Sequence, residues 1–95
     1  MKLARIIDRK LLDSFHLKSC IVCGKRGCDP CHIMSVGAGG DDVLDNLMPL
    51  CRLHHTEQHQ IGLYSFVMKY RGLTQYLKVK GWDFTGGRLF RRHGF

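Results

Sequence analysis

The sequence predicts an α+β fold in which a small hairpin leads into a helix, a metal staples the two, and short helices flank them. Three observations predict it. The segment "CHIMSVGAGGDDVLDNLMPLCRLHHTEQH", Cys31 to His59, passes from strand-like runs through a glycine loop into a polar helical stretch. Two tight pairs, Cys20-x₂-Cys23 and Cys51-x₂-His54, stand at its borders and within it. The chain has 95 residues, enough for one domain whose modest core a metal commonly supports.

Each element has its own reason. Leu3, Ile6, Ile7, Leu11, Leu12 and Phe15 are spaced for a short helix on the core, with strand an alternative for "ARII". "CIVCGKRGC" carries Gly24 and Gly27 where a metal knuckle turns. "CHIMSV" reads as a strand, and the three glycines of "GAGGDD" argue against regular structure after it. "NLMPL" is the return strand, confined to an edge by Pro49. From about His54 the pattern is helical, and Gly62 weakens or ends that helix. Leu63, Phe66, Val67 and Tyr70 form one face of a further helix, and "LTQYLKVKG" a last one with Gly81 as its stop. "WDFTGGRLF" is expected to be a hairpin around Gly86-Gly87, its Trp82, Phe84 and Phe90 packing as core rather than stacking on bases. "RRHGF" is a basic end.

Lys and Arg number 15 against 8 acidic residues, a formal charge of +7. That excess favours a polyanionic partner, because phosphate contacts release counterions. The opening "MKLARIIDRKLLDSF" lacks the apolar run of a signal peptide, and no segment is apolar enough to span a membrane. The expectation is therefore a cytoplasmic protein with no membrane partner. In that setting its five cysteines mean metal more readily than disulfides.

Cys20, Cys23, Cys51 and His54 supply the four soft donors that a structural zinc ion prefers. A Cys₄ set of Cys20, Cys23, Cys28 and Cys31 competes, but its inner gap is short and it leaves Cys51 and His54 unexplained. Cys28 is then left over as a small buried residue or free thiol. His55 and His59, four apart, share a helix face and can reach one ion. His32 near a metal is a candidate general base, since an imidazole titrates near neutrality. Asn46 can both donate and accept, and so brace a loop.

In order and approximate spacing, His32, Asn46 and His55, with His59 completing a His-x₃-His, resemble the HNH endonucleases, the ββα-metal (His-Me finger) nucleases. "CIVC" and "CRLH" resemble the zinc-bearing branch, with His54 where a fourth Cys is more usual. "GAGGDDVLDNLMPLCRLHHTEQHQIG" is similar to small phage or prophage HNH proteins. The resemblance covers residues 20–62 and implies a single nuclease domain over 1–95. Within it, 1–19 is an N-terminal segment, 20–62 the zinc-bound ββα-metal core, and 63–95 C-terminal helices with a basic hairpin and tail. It implies His32 as the base that activates water, Asn46 as the brace of its loop, and His55 and His59 as ligands of the catalytic metal. The residue before the base, usually His or Asp in the family, is Cys31 here. The site could be completed by Cys31 as a ligand, by waters alone beside His55 and His59, or by Asp29 swinging in, and Cys31 is the favoured ligand. A thiolate would favour zinc or another transition metal over magnesium.

The expected function is metal-dependent hydrolysis of DNA, with one structural Zn²⁺ and one catalytic Mg²⁺, Mn²⁺, Ni²⁺ or Zn²⁺. Sequence preference should be weak and nicking fits a single chain acting as a monomer or weak homodimer, encoded by a prokaryote or phage. Arg52, Lys69, Arg71, Arg88, Arg91 and Arg92 are candidate phosphate contacts. The rival from another class is a non-catalytic, zinc-stabilised nucleic-acid-binding module, which gives no reason for His32, Asn46, His55 and His59 together. A redox role for Cys28-x₂-Cys31 lacks the βαβ context such a motif wants.

Overall fold

Glycines and side-chain caps cut this chain into short pieces. The computed structural model describes residues 4–85 and 88–91, with residues 84, 85 and 88–91 described by their backbone. The chain is α+β and divides into two compact units, Met1–His55 and Thr56–Phe95.

In the first unit, residues 5–8 form no regular element and Ile6 and Ile7 are exposed, so neither helix nor strand forms at "ARII". Their backbone is instead engaged by the glycine loop: Ile6 N–H donates to Asp41 Oδ1 at 2.7 Å and Asp42 N–H to Ile6 O at 2.9 Å. Helix α1 (Arg9–Asp13) starts where Asp8 Oδ1 accepts from Leu11 N at 3.0 Å, an N-cap that satisfies an orphan donor. A 3₁₀ turn, Ser14–Leu17, follows and buries Phe15. The knuckle then closes through a bridge between Ser19 and Arg26 and a bond from Cys20 N to Lys25 O of 2.8 Å. Gly24 and Gly27 take φ of 79° and 84°, the left-handed region that glycine enters without a Cβ penalty.

Strand β1 (Asp29–His32) pairs antiparallel with β2 (Leu47–Leu50), with Cys31 opposite Met48 and His32 opposite Leu47. Pro30 faces Pro49, and Pro49 O accepts from Ile21 N at 3.0 Å. A proline fits here because each strand of a two-stranded sheet has a free edge. The strand begins and ends earlier than "CHIMSV" suggests. Ile33 N–H turns to Asn46 O, and Met34 is taken by the Asn46 side chain, so the ladder stops at His32. The glycine loop is not wholly irregular: Val36–Ala38 is a 3₁₀ turn capped by Ser35 Oγ.

Helix α2 (Arg52–Ile61) follows β2 directly, its first bond running from His55 N to Cys51 O, and ends at Gly62 with φ of 85°. In the second unit, α3 (Leu63–Lys69) and α4 (Gly72–Val79) bury Phe66, Val67, Leu73 and Leu77. Trp82, at the start of strand β3 (Trp82–Thr85), is buried with them. β3 pairs antiparallel with β4 (Arg88–Arg91), Thr85 opposite Arg88, while Gly86 and Gly87, around which the hairpin is expected, lie outside the described residues. The side chains of Phe84, Arg88, Phe90 and Arg91, and the whole of Arg92, lie outside the described residues. No described helix is long and apolar enough to cross a membrane.

Candidate metal and nuclease site

The knuckle and the first turn of α2 bring Cys20, Cys23, Cys51 and His54 together, one donor atom of each within 4.8 Å of all the others. Cys23 Sγ lies 3.8 Å from Cys51 Sγ, and His54 Nδ1 lies 3.7 Å from Cys20 Sγ and 3.2 Å from Cys51 Sγ. Thiolates bound to one tetrahedral zinc at ~2.3 Å stand about 3.8 Å apart, so the set is spaced for a single ion. Burial works against the Cys20 thiolate, but backbone hydrogen bonds at Cys51, Cys23 and Val22 outweigh it and bring the thiol down to about 6. Such a site can load metal near neutral pH. Cys28 stays outside it. Its thiol donates to Lys25 O at 3.4 Å, and burial, then the charge of the other thiols, pushes it up to about 11. The Cys₄ alternative is not what the fold assembles.

Asn46 is the centre of the hairpin loop. Its Oδ1 accepts from Met34 N at 2.7 Å, and its Nδ2 donates to Met34 O at 3.1 Å and Asp41 O at 2.9 Å. The amide thus takes the place of a neighbouring strand for Met34 and fastens the far side of the loop. The chain passes so close that a Cβ on Gly40 would lie 1.9 Å from Met34 O and 2.8 Å from Asn46 Nδ2. Gly40→Ala is therefore expected to cost about 3 kcal/mol or more, since backbone must move to admit the methyl. Thermal denaturation of the zinc-loaded protein checks this, and an unchanged midpoint would remove Gly40 from the account.

His32 is braced from the other side. Its Nε2 lies 2.8 Å from Asp42 Oδ1, and the Asp42 side chain is fully buried. Arg5 Nη1 donates to the same oxygen at 3.0 Å and to Gly40 O at 2.9 Å, while Asp8 N–H donates to Asp42 Oδ2 at 2.9 Å. Burial alone would raise the Asp42 carboxyl. The bonds from His32, the Asp8 backbone and Arg5 reverse that and hold it at about 2, so it is ionised at neutral pH. Sequence reasoning missed both Asp42 and Arg5. An acid at the close of a glycine loop reads as turn chemistry, and only its position after a loop that returns to His32 distinguishes it.

Three residues before His32 on β1, Asp29 reaches α2. Asp29 Oδ2 is 3.1 Å from His55 Nδ1, and Arg52 makes a forked pair to the same carboxylate at 3.3 Å. At 3.1 Å the carboxylate and imidazole are hydrogen-bonded to each other, and both are donor types that a divalent cation accepts. Cys31 is buried at 1 % exposure beside Met48 in the register. Burial, then the charge of Asp29, pushes its thiol up to about 12. His59 stands four residues after His55 on α2 and is exposed. Among the described residues, the Cys₃His set is the one group of three or more such donors drawn this tightly.

A family model described as "Putative HNHc nuclease" matches residues 3–82. The chain belongs to the HNH nuclease family. No curated protein and no solved structure matches it. Family membership supports a nuclease function and implies a nucleic-acid substrate, and the HNH match takes in the Cys₃His cluster, the glycine loop and all of α2. Of the basic residues proposed for phosphate in this HNH chain, Arg52 is exposed but paired with Asp29, and Lys69 is paired with Glu57, which also accepts from Tyr70 Oη at 2.6 Å. Arg71, at the head of α4, is exposed.

Proposed function

We propose that this HNH protein is a metal-dependent DNA endonuclease whose ββα-metal core is the β1–β2 hairpin with α2. In this reading Cys20, Cys23, Cys51 and His54 hold a structural zinc ion, and Asp29, His55 and His59 hold the catalytic cation. Of the three ways to complete the second site, Asp29 is preferred over Cys31, because the Asp29 carboxylate already stands beside His55 whereas the Cys31 side chain is packed in the core. The single observation that carries the reading is the Asp29–His55 pair at 3.1 Å, on the same strand as His32.

The chemistry follows from those residues. A bound divalent cation would neutralise the scissile phosphate and stabilise the departing oxygen. His32 takes a proton from water as the water oxygen bonds to phosphorus and the bond to the 3′-oxygen breaks. Asn46 keeps the loop closed on Met34 and so keeps His32 in place. Arg52, exposed and paired with Asp29, would turn its charge to the DNA backbone if Asp29 were to hold the cation. Together with Lys69, Arg71, Arg88, Arg91 and Arg92 it would hold phosphates without reading bases. Weak sequence preference and single-strand nicking are the expected outcome.

Asp29→Asn and His55→Ala test the second site. Each should raise the Mn²⁺ concentration needed for half-maximal cleavage by about tenfold or more, and calorimetry on the zinc-loaded variants should record the same loss of Mn²⁺ affinity. An unchanged metal dependence in both would move the site away from this pair.

A further inference from the structure

We propose that Asp42 is the positioning residue for His32, holding the imidazole in the Nε2–H tautomer so that Nδ1 is the nitrogen left to accept a proton. The inference rests on the reading of His32 as general base and adds to it a partner that the family match does not name. An ionised carboxylate has only acceptor sites, so the ring nitrogen that faces it must donate. In a neutral imidazole the other nitrogen then carries the lone pair. Here the nitrogen facing Asp42 is Nε2, at 2.8 Å.

The carboxylate is fixed in turn. Its two oxygens receive three donors: His32 and Arg5 on Oδ1, and the Asp8 backbone on Oδ2. Arg5 is also bonded to Gly40 O, and the backbone of Ile6 is tied to Asp41 and Asp42. The segment before α1 is thus a strap that clamps the acid, and the acid sets the base. A carboxylate that only fastened the strap would be satisfied by Arg5 and the Asp8 N–H and would need no imidazole. Burial of the whole side chain excludes water from competing for the His32 bond.

Asp42→Asn separates the two roles. The Asp8 N–H is fixed backbone and requires an acceptor, so the amide oxygen goes to it, the amide NH₂ turns to His32, and Arg5 keeps only its bond to Gly40 O. Nε2 must then accept, and the proton moves to Nδ1. The test is a long-range ¹H–¹⁵N spectrum of the full-length, zinc-loaded protein at mildly alkaline pH, with His32 assigned from His32→Gln. Wild-type His32 should be the Nε2–H tautomer, and Asp42→Asn should be the Nδ1–H tautomer. On a DNA substrate, Asp42→Asn should lower kcat by about 10- to 100-fold with KM nearly unchanged. Arg5→Ala should loosen the strap and leave the tautomer as it is. A wild-type His32 protonated at Nδ1 overturns the proposal, and does so even if Asp42→Asn fails to fold. An unchanged tautomer in a folded Asp42→Asn also overturns it, leaving Asp42 as a fastener. If the wild type cuts no DNA, the nuclease reading falls, while the spectrum still decides the tautomer.

Discussion

His32→Ala is expected to lower the rate of DNA cleavage by about 10³-fold, within the span that a positioned general base contributes. His32 is half-buried at the end of β1, opposite Leu47, and its ring is held by the buried Asp42. Truncation leaves the hairpin ladder and the Cys₃His cluster untouched, so zinc content and thermal midpoint should change little. Asp42 would be left with Arg5 and the Asp8 N–H as partners and remain compensated. Single-turnover cleavage of a labelled duplex, with excess protein, isolates the chemical step from product release. Binding should persist, since none of the residues proposed for phosphate is altered. A variant that cuts as fast as the parent would show that another group takes the proton.

The second large effect is on folding. Cys20→Ser, or removal of metal by a chelator, is expected to unfold the first unit. The four ligands come from the knuckle and the head of α2. Between them lies the whole hairpin with its loop, so one ion held there would close the chain around β1 and β2. Apparent free energies of structural zinc sites run to about 10–16 kcal/mol, as large as the total stability of a typical domain at about 5–15 kcal/mol. A chain this small has no reserve to absorb that loss. Metal analysis should find one tightly held zinc per chain. Circular dichroism should show loss of structure as zinc leaves, and regain on its return. A metal-free chain that melts at the same temperature as the loaded one would reduce the cluster to an incidental grouping.

What the sequence made legible divides along physical lines. The Cys₃His convergence is legible because each half is a local pair at fixed spacing and one ion must satisfy four donors. The helices after Gly62 are legible because Phe66, Val67, Leu73 and Leu77 repeat at helical spacing and the glycines at 62 and 81 end the runs. The hairpin is legible, but its first strand starts at Asp29, two residues before "CHIMSV". Asn46 caps the ladder through its side chain, and nothing in "CHIMSV" announces that Met34 bonds to an amide rather than to a strand. Residues 4–8 misled for a related reason. Ile6 and Ile7 suggest a core face, yet their backbone is held by the carboxylates of Asp41 and Asp42, and such bonds across the chain carry no periodicity. Asp42 itself was invisible for want of any local sign that an acid after two glycines would be buried against a histidine. The sequence favours Cys31 as the further ligand, with Asp29 as an alternative; the proposal turns to Asp29 because it is bonded to His55 while Cys31 is buried.

The most direct test of the central claim is plasmid nicking by the zinc-loaded protein across a series of Mg²⁺, Mn²⁺, Ni²⁺ and added Zn²⁺, run beside a gel-shift measurement on the same DNA. The account predicts conversion of supercoiled to open-circular plasmid with at least one of these ions, abolished by a chelator weak enough to spare the structural zinc. DNA that is retarded on the gel yet stays supercoiled with every ion would contradict it, and would leave a zinc-stapled protein that binds nucleic acid without cutting it.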